Sequence, residues 1–112
     1  MKKISVHESE IARKEHADRW SKDLIGGAEV RTSGGFSIGV AEYHVTEFGE
    51  LQVHEDQEAL YVVSGVGQVR VGDEVVSVRP GSALYVGPKT PHATRRTGDA
   101  PVRVLYAHGS MG

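Results

Sequence analysis

Fourteen glycines in 112 residues set the strongest constraint on what this chain can become. Glycine enters left-handed backbone freely and weakens helix interiors, so this density predicts tight turns and many short strands rather than long helices. The runs between the glycines agree. Ala28–Thr32 leads to the turn Ser33-Gly34-Gly35, and Phe36–Thr46 has the composition of a long strand. Leu51–His54 alternates as a short strand, and Ala59–Val63 is rich in β-formers. Gln68–Val71 and Glu74–Val78 flank Gly72-Asp73, a two-residue hairpin signal. Ser82–Val86, His92–Arg96 and Val102–His108 complete the series. Short strands at such close spacing predict an all-β barrel or sandwich, which also disposes of sheet edges.

The first 27 residues differ. Ser9 is placed to cap a short helix over Glu10–Trp20, and Gly26-Gly27 would end it. We therefore expect residues 1–27 to form an N-terminal arm with a short helix, and residues 28–112 to form the β-barrel domain. Trp20 is the expected anchor of that arm.

Bulk properties narrow the function. A net charge of −2 gives no electrostatic case for a nucleic-acid partner. Without cysteine there are no disulfides, thiolate metal sites or cysteine nucleophiles. Met1-Lys2-Lys3 is not followed by an apolar stretch of signal-peptide type, and no apolar run approaches the roughly 20 residues that span a bilayer. The expectation is a cytoplasmic protein with no membrane partner.

One constellation carries chemistry. Gln52 and His54 lie two apart on an expected strand, so their side chains share a face. Glu58 opens the next strand, and His92 begins another after the loop Gly87–Pro91. Two imidazoles, a carboxylate and an amide oxygen can thus converge from adjacent strands. That donor set suits one divalent ion of zinc, iron, manganese or nickel, with positions left open for a small-molecule ligand. The same residues also suit ordinary surface or hydrogen-bonding roles on an inert barrel.

The run Gln52–Gly65 resembles the first motif of the cupin family, G-x5-H-x-H-x3–4-E-x6-G, and Gly81–Arg96 resembles the second, G-x5-P-x-G-x2-H-x3-N. The resemblance spans about residues 36–108. It implies a double-stranded β-helix (jelly-roll) barrel of the RmlC-like kind, a metal held inside by Gln52, His54, Glu58 and His92, and a homodimer. The chain departs from the pattern in several places. Gln52 stands where the family usually has its first histidine, although zinc-dependent phosphomannose isomerases of cupin type are similar in using a Gln-x-His pair. Thr46 replaces the leading glycine, Gly87 and Lys89 replace the usual Pro and Gly, and Arg96 replaces the usual Asn.

Two further residues are candidates for substrate. Arg96 shares a strand face with His92 and Thr94, so it would either anchor an anion or lie at the barrel end, in water or paired with Glu42. His44 would either line the cavity or serve as a hydrogen-bonded core histidine. His7, His16 and His108 lack ligand-spaced neighbours and are expected to be surface or structural residues. Three functions fit: a metal-dependent isomerase, lyase or dioxygenase acting on a small oxygenated metabolite, anionic or neutral; a non-catalytic small-molecule or metal-binding module; and a scaffold whose site has decayed.

Overall fold

A computed structural model describes residues 3–111 of the chain. Among the described residues nine strands form two antiparallel sheets: β1 (Lys14–Glu15), β2 (Arg19–Ile25), β3 (Phe36–Tyr43), β4 (Gln57–Ser64), β5 (Gly67–Val71), β6 (Glu74–Val78), β7 (Ala83–Val86), β8 (His92–Arg96) and β9 (Val102–Gly109). The larger sheet has the order β1-β2-β3-β9-β4-β7, and the smaller β6-β5-β8. The all-β expectation is met.

Alternation explains which side chains meet between the sheets. On β4, Glu58, Leu60 and Val62 are buried while Ala59, Tyr61 and Val63 are exposed. Opposite them on β9, Val104 faces Val62, Tyr106 faces Leu60, and His108 faces Glu58. Val62, Val69, Val86, Val102 and Val104 are fully buried and form the centre of the core. Branched side chains of this kind suit a pleated, two-sided interior. Gly39 on β3 is required by close approach: the Tyr106 ring occupies the space a β-carbon there would need.

The N-terminal segment corrects one expectation. There is no helix over residues 10–20. A single 3-10 turn, Glu8–Glu10, is capped by His7 rather than Ser9: His7 Nδ1 accepts from the Ser9 N–H, and Glu10 accepts from the His7 N–H. The rest becomes β1 and β2, with β2 paired to β3 from Arg19↔Tyr43 onward. A segment whose apolar residues are only Ile11, Ala12, Ala17 and Trp20, two of them alanine, has no stripe to bury as a helix. As a strand it instead pairs its backbone with β3. Trp20 lies beside three cations, with Arg13 Cζ 4.5 Å from its ring centroid, Lys22 Nζ at 5.7 Å and Arg103 Cζ at 5.8 Å.

A second difference falls at the site. Leu51–His54 is not a ladder strand; it touches the smaller sheet through an isolated bridge between Gln52 and His92. The two residues exchange backbone hydrogen bonds of 2.8 and 3.0 Å, so Gln52 is fixed directly beside the first residue of β8.

Candidate metal centre

Three imidazoles surround one buried carboxylate. His54 Nε2 lies 3.0 Å from Glu58 Oε1, His92 Nε2 lies 3.2 Å from the same oxygen, and His108 Nε2 lies 3.3 Å from Oε2. Each comes from a different element. Glu58 sits on the inward face of β4, and His108 is delivered by β9 at the register position opposite it. His92 opens β8, and His54 comes from the connection before β4. The donor atoms of His54, Glu58 and His108 all lie within 4.8 Å of one another.

The far sides of the rings decide their chemistry. His92 Nδ1–H donates to the Thr90 carbonyl at 2.9 Å. His54 Nδ1 lies 2.6 Å from Asp56 Oδ1, and His108 Nδ1 lies 3.1 Å from both oxygens of the same carboxylate. Each Nδ1 therefore faces an oxygen that can only accept, which fixes the tautomer and turns Nε2 toward Glu58. Imidazoles that ligate metals are oriented in this way.

The electrostatics follow from that geometry. Burial alone would push the Glu58 carboxyl up; hydrogen bonds from His108 and His92 outweigh it and hold Glu58 down at about 2. The bond to Glu58 raises His108 to about 9, against burial and with help from Asp56. Burial opposes the charging of His92, but Glu58 and the Thr90 carbonyl together raise it. A ring that donates from both nitrogens is an imidazolium, so without a cation His92 and His108 gather protons around Glu58.

The donor set fits a divalent ion. Ligands about 2.0–2.2 Å from a metal stand about 2.9–3.5 Å from one another in tetrahedral or octahedral geometry, the spacing Glu58 already has to each imidazole. Gln52 lines the same cavity, and its buried Nε2 has no hydrogen-bond partner among the described residues. Turning that amide over would present its oxygen in the nitrogen's place. Such an orphaned group is costly unless something binds it.

The structure therefore brings His54, Glu58 and His92 together, with Gln52 beside them. It also adds His108 and Asp56, which spacing along the chain did not reveal. His108 was expected to be a surface or structural residue. The overlooked signal is its phase: Val102, Val104 and Tyr106 mark the inward face of β9, and His108 is the next residue on that face.

Arg96 and His44 are not brought to the cluster. Arg96 Nε donates to the His44 carbonyl at 3.0 Å and its Nη1 donates to the Gly98 carbonyl at 2.6 Å. It shares a face with His92, but four residues of strand put it about 13 Å away. Glu42, one expected partner for Arg96, is paired with Arg103 instead, at 2.8 Å. His44 is exposed rather than core, because β3 ends at Tyr43 and its alternation ends there too.

Comparison with known proteins is consistent with this geometry. The family model described as Cupin domain matches residues 39–108. An uncharacterized protein of Methanocaldococcus jannaschii is 31% identical over 52 residues, which cover 46% of this chain and 42% of that protein. Among solved structures, an RmlC-like cupin from Shewanella frigidimarina superposes with a TM-score of 0.78 at 12% identity, covering 97% of this chain and 92% of that one. A Bacillus subtilis oxalate decarboxylase variant superposes with a TM-score of 0.81 at 16% identity, over 98% of this chain but 30% of that one. The cupin domain of Schizosaccharomyces pombe Cnp3 gives 0.76 at 13% identity, over 92% and 71%. At these identities the superpositions establish the fold.

Proposed function

Because this chain belongs to the cupin family, we propose that it binds one divalent metal ion at the His54–Glu58–His92–His108 cluster and acts there on a small oxygenated metabolite. The observation that carries the proposal is the shared orientation of the imidazoles: each has Nδ1 held by an oxygen and Nε2 aimed at one buried carboxylate. His54, Glu58 and His108, with His92 beside them, would hold a 2+ ion in place of the protons that His92 and His108 otherwise collect, and Glu58 would keep a cationic partner. Gln52 is a further ligand in this reading, through its amide oxygen.

A divalent ion in that position supplies Lewis-acid polarisation of a carbonyl or enolate oxygen and, if redox-active, dioxygen chemistry. The protein's own groups do the rest. Asp56 keeps His54 and His108 in their ligating orientation. Tyr43 and Tyr106 line the cavity, and burial raises the pKa of both, so their hydroxyls stay protonated; Tyr106 donates to Asp23 at 2.7 Å. Isomerase, lyase and dioxygenase chemistry all suit this environment. A homodimer is part of the proposal, supported by Tyr61, Tyr85 and Leu105, which stand exposed on the outer face of the larger sheet.

The test begins with metal stoichiometry. Protein loaded with Zn(II), Mn(II) or Fe(II) should retain one ion per chain. Anaerobic Fe(II) loading followed by oxygen-uptake measurements on small acids, diols and flavonols then separates dioxygenase from redox-neutral chemistry. A folded protein that retains no metal would refute the proposal. Stoichiometric metal with no turnover of any compound would favour a non-catalytic binding module.

A further inference from the structure

The first two strands change what the cavity can recognise. Residues from β1 and β2 form one wall of the space in front of the metal cluster: Lys14, Arg19 and Asp23 line it together with His54, Glu58 and His108. That cavity has a volume of 390 Å³, and a neighbouring one of 480 Å³ shares Arg19, Gln52 and His54 as its wall. Arg19 is therefore common to both spaces.

The acidic groups in and around this wall are already engaged. Lys14 lies 2.6 Å from Asp23, which also accepts from Tyr106. Asp56 serves two imidazoles and Glu58 three. Asp18 accepts from Arg19 Nη1 at 2.8 Å. Of the two cations in this wall, Lys14 is exposed and closed on Asp23, whereas Arg19 is held in place with most of its donors unused. Its bond to Asp18 is the one side-chain hydrogen bond it makes among the described residues, so most of its five N–H donors remain available. The guanidinium is also held in place: Asp18 is buried, the Arg19 side chain is 19% exposed, and Cζ stands 5.8 Å from the Tyr43 ring centroid. A positioned, partly desolvated guanidinium with free donors recognises planar anions, which it can bind through two parallel bonds.

We propose that the substrate or ligand of this cavity is a small carboxylic acid, and that Arg19 is the residue that binds its carboxylate while another oxygen of the molecule faces the His54–Glu58–His108 cluster. This rests on the metal reading for the second contact, but the first depends on Arg19 alone. β1 and β2 are thereby specificity-determining parts of the site. The role of anion anchor falls to Arg19 on β2, whereas Arg96 is held by backbone carbonyls at the far end of β8.

The experiment is calorimetric titration of malonate and of its uncharged analogue malonamide into Mn(II)-loaded and metal-free protein. Wild type and Arg19→Met are compared, with metal affinity measured separately for each. Malonate should bind wild type about tenfold or more tightly than malonamide, and Arg19→Met should lose that difference while keeping its metal affinity. If Arg19→Met does not fold, Arg19→Lys keeps the charge without the planar fork and should lose most of the preference. Equal binding of malonate and malonamide by wild type, or full retention of the preference in the variant, would overturn the proposal. Failure of metal uptake with Arg19-dependent malonate binding intact would refute the metal reading and support the role of Arg19.

Discussion

Asp56 makes the orientation of the metal site testable by one substitution. Its carboxylate lies 2.6 Å from His54 Nδ1 and 3.1 Å from His108 Nδ1, so one side chain orients two imidazoles. Removing an outer partner of a ligating histidine typically costs about 10–100-fold in metal affinity. If the two rings respond independently, Asp56→Ala should weaken binding by about 100–10,000-fold. Asp56 is 39% exposed, so water can take over part of its role, and the lower end, about 100-fold, is the expected value. Asp56→Asn with its oxygen in the Oδ1 place still faces both rings but loses the charge and turns an NH2 group toward His108, so it should cost about 10–100-fold. Competition titration of Zn(II) against a chromophoric chelator measures both variants, with the far-ultraviolet circular dichroism spectrum as the folding control. An Asp56→Ala protein that is folded and binds within about threefold of wild type would refute the claim that this carboxylate orients ligands.

Other outcomes follow from the same geometry. His54→Ala should abolish stoichiometric metal binding, and His92→Ala and His108→Ala should each weaken it severely, by equilibrium dialysis with elemental analysis; full occupancy in all three would show that the ion is elsewhere. Gln52→His should retain or tighten binding, because imidazole is a stronger donor than an amide oxygen; a large loss would mean that Gln52 holds the site open rather than ligates. In the metal-free protein the His108 pKa is raised, so its contribution to stability is complete below about 6.5 and is lost as pH rises through about 9. The depressed Glu58 acts in the opposite sense, with a contribution present above about 4.5 and lost as pH falls toward about 2. Thermal melts of metal-free protein should therefore show the melting temperature falling between pH 7 and about 9.5, and that slope should shrink in His108→Ala to the part owed to His92, whose pKa Glu58 also raises.

The fold was largely legible because alternation survives in the strands that carry the core. Gly72-Asp73 between two β-forming runs signalled the β5–β6 hairpin, and the structure has it there. His54, Glu58 and His92 were legible from spacing, since each opens or precedes a strand at the same end of the barrel. What was hidden depended on pairing between distant segments. Nothing local ties His108 to Glu58, 50 positions earlier; the register of β9 against β4 does so. The same holds for Arg19, whose place in the cavity follows from the pairing of β2 with β3. Residues 10–20 carry weak preferences of either kind, so the strand partner decides their structure, and a cap at Ser9 was inferred where His7 supplies it. Arg96 shares a face with His92, which sets a direction but not the distance along the strand, so the sequence alone leaves both of its roles open.

The most direct test of the central claim is anomalous scattering from crystals of the protein loaded with Zn(II) or Mn(II), with data recorded at the metal's absorption edge. One peak per chain should lie about 2.0–2.2 Å from His54 Nε2 and from a Glu58 oxygen, with His92 or His108 completing the shell. No peak among these side chains in fully loaded crystals, or a peak only at other residues, would contradict the account.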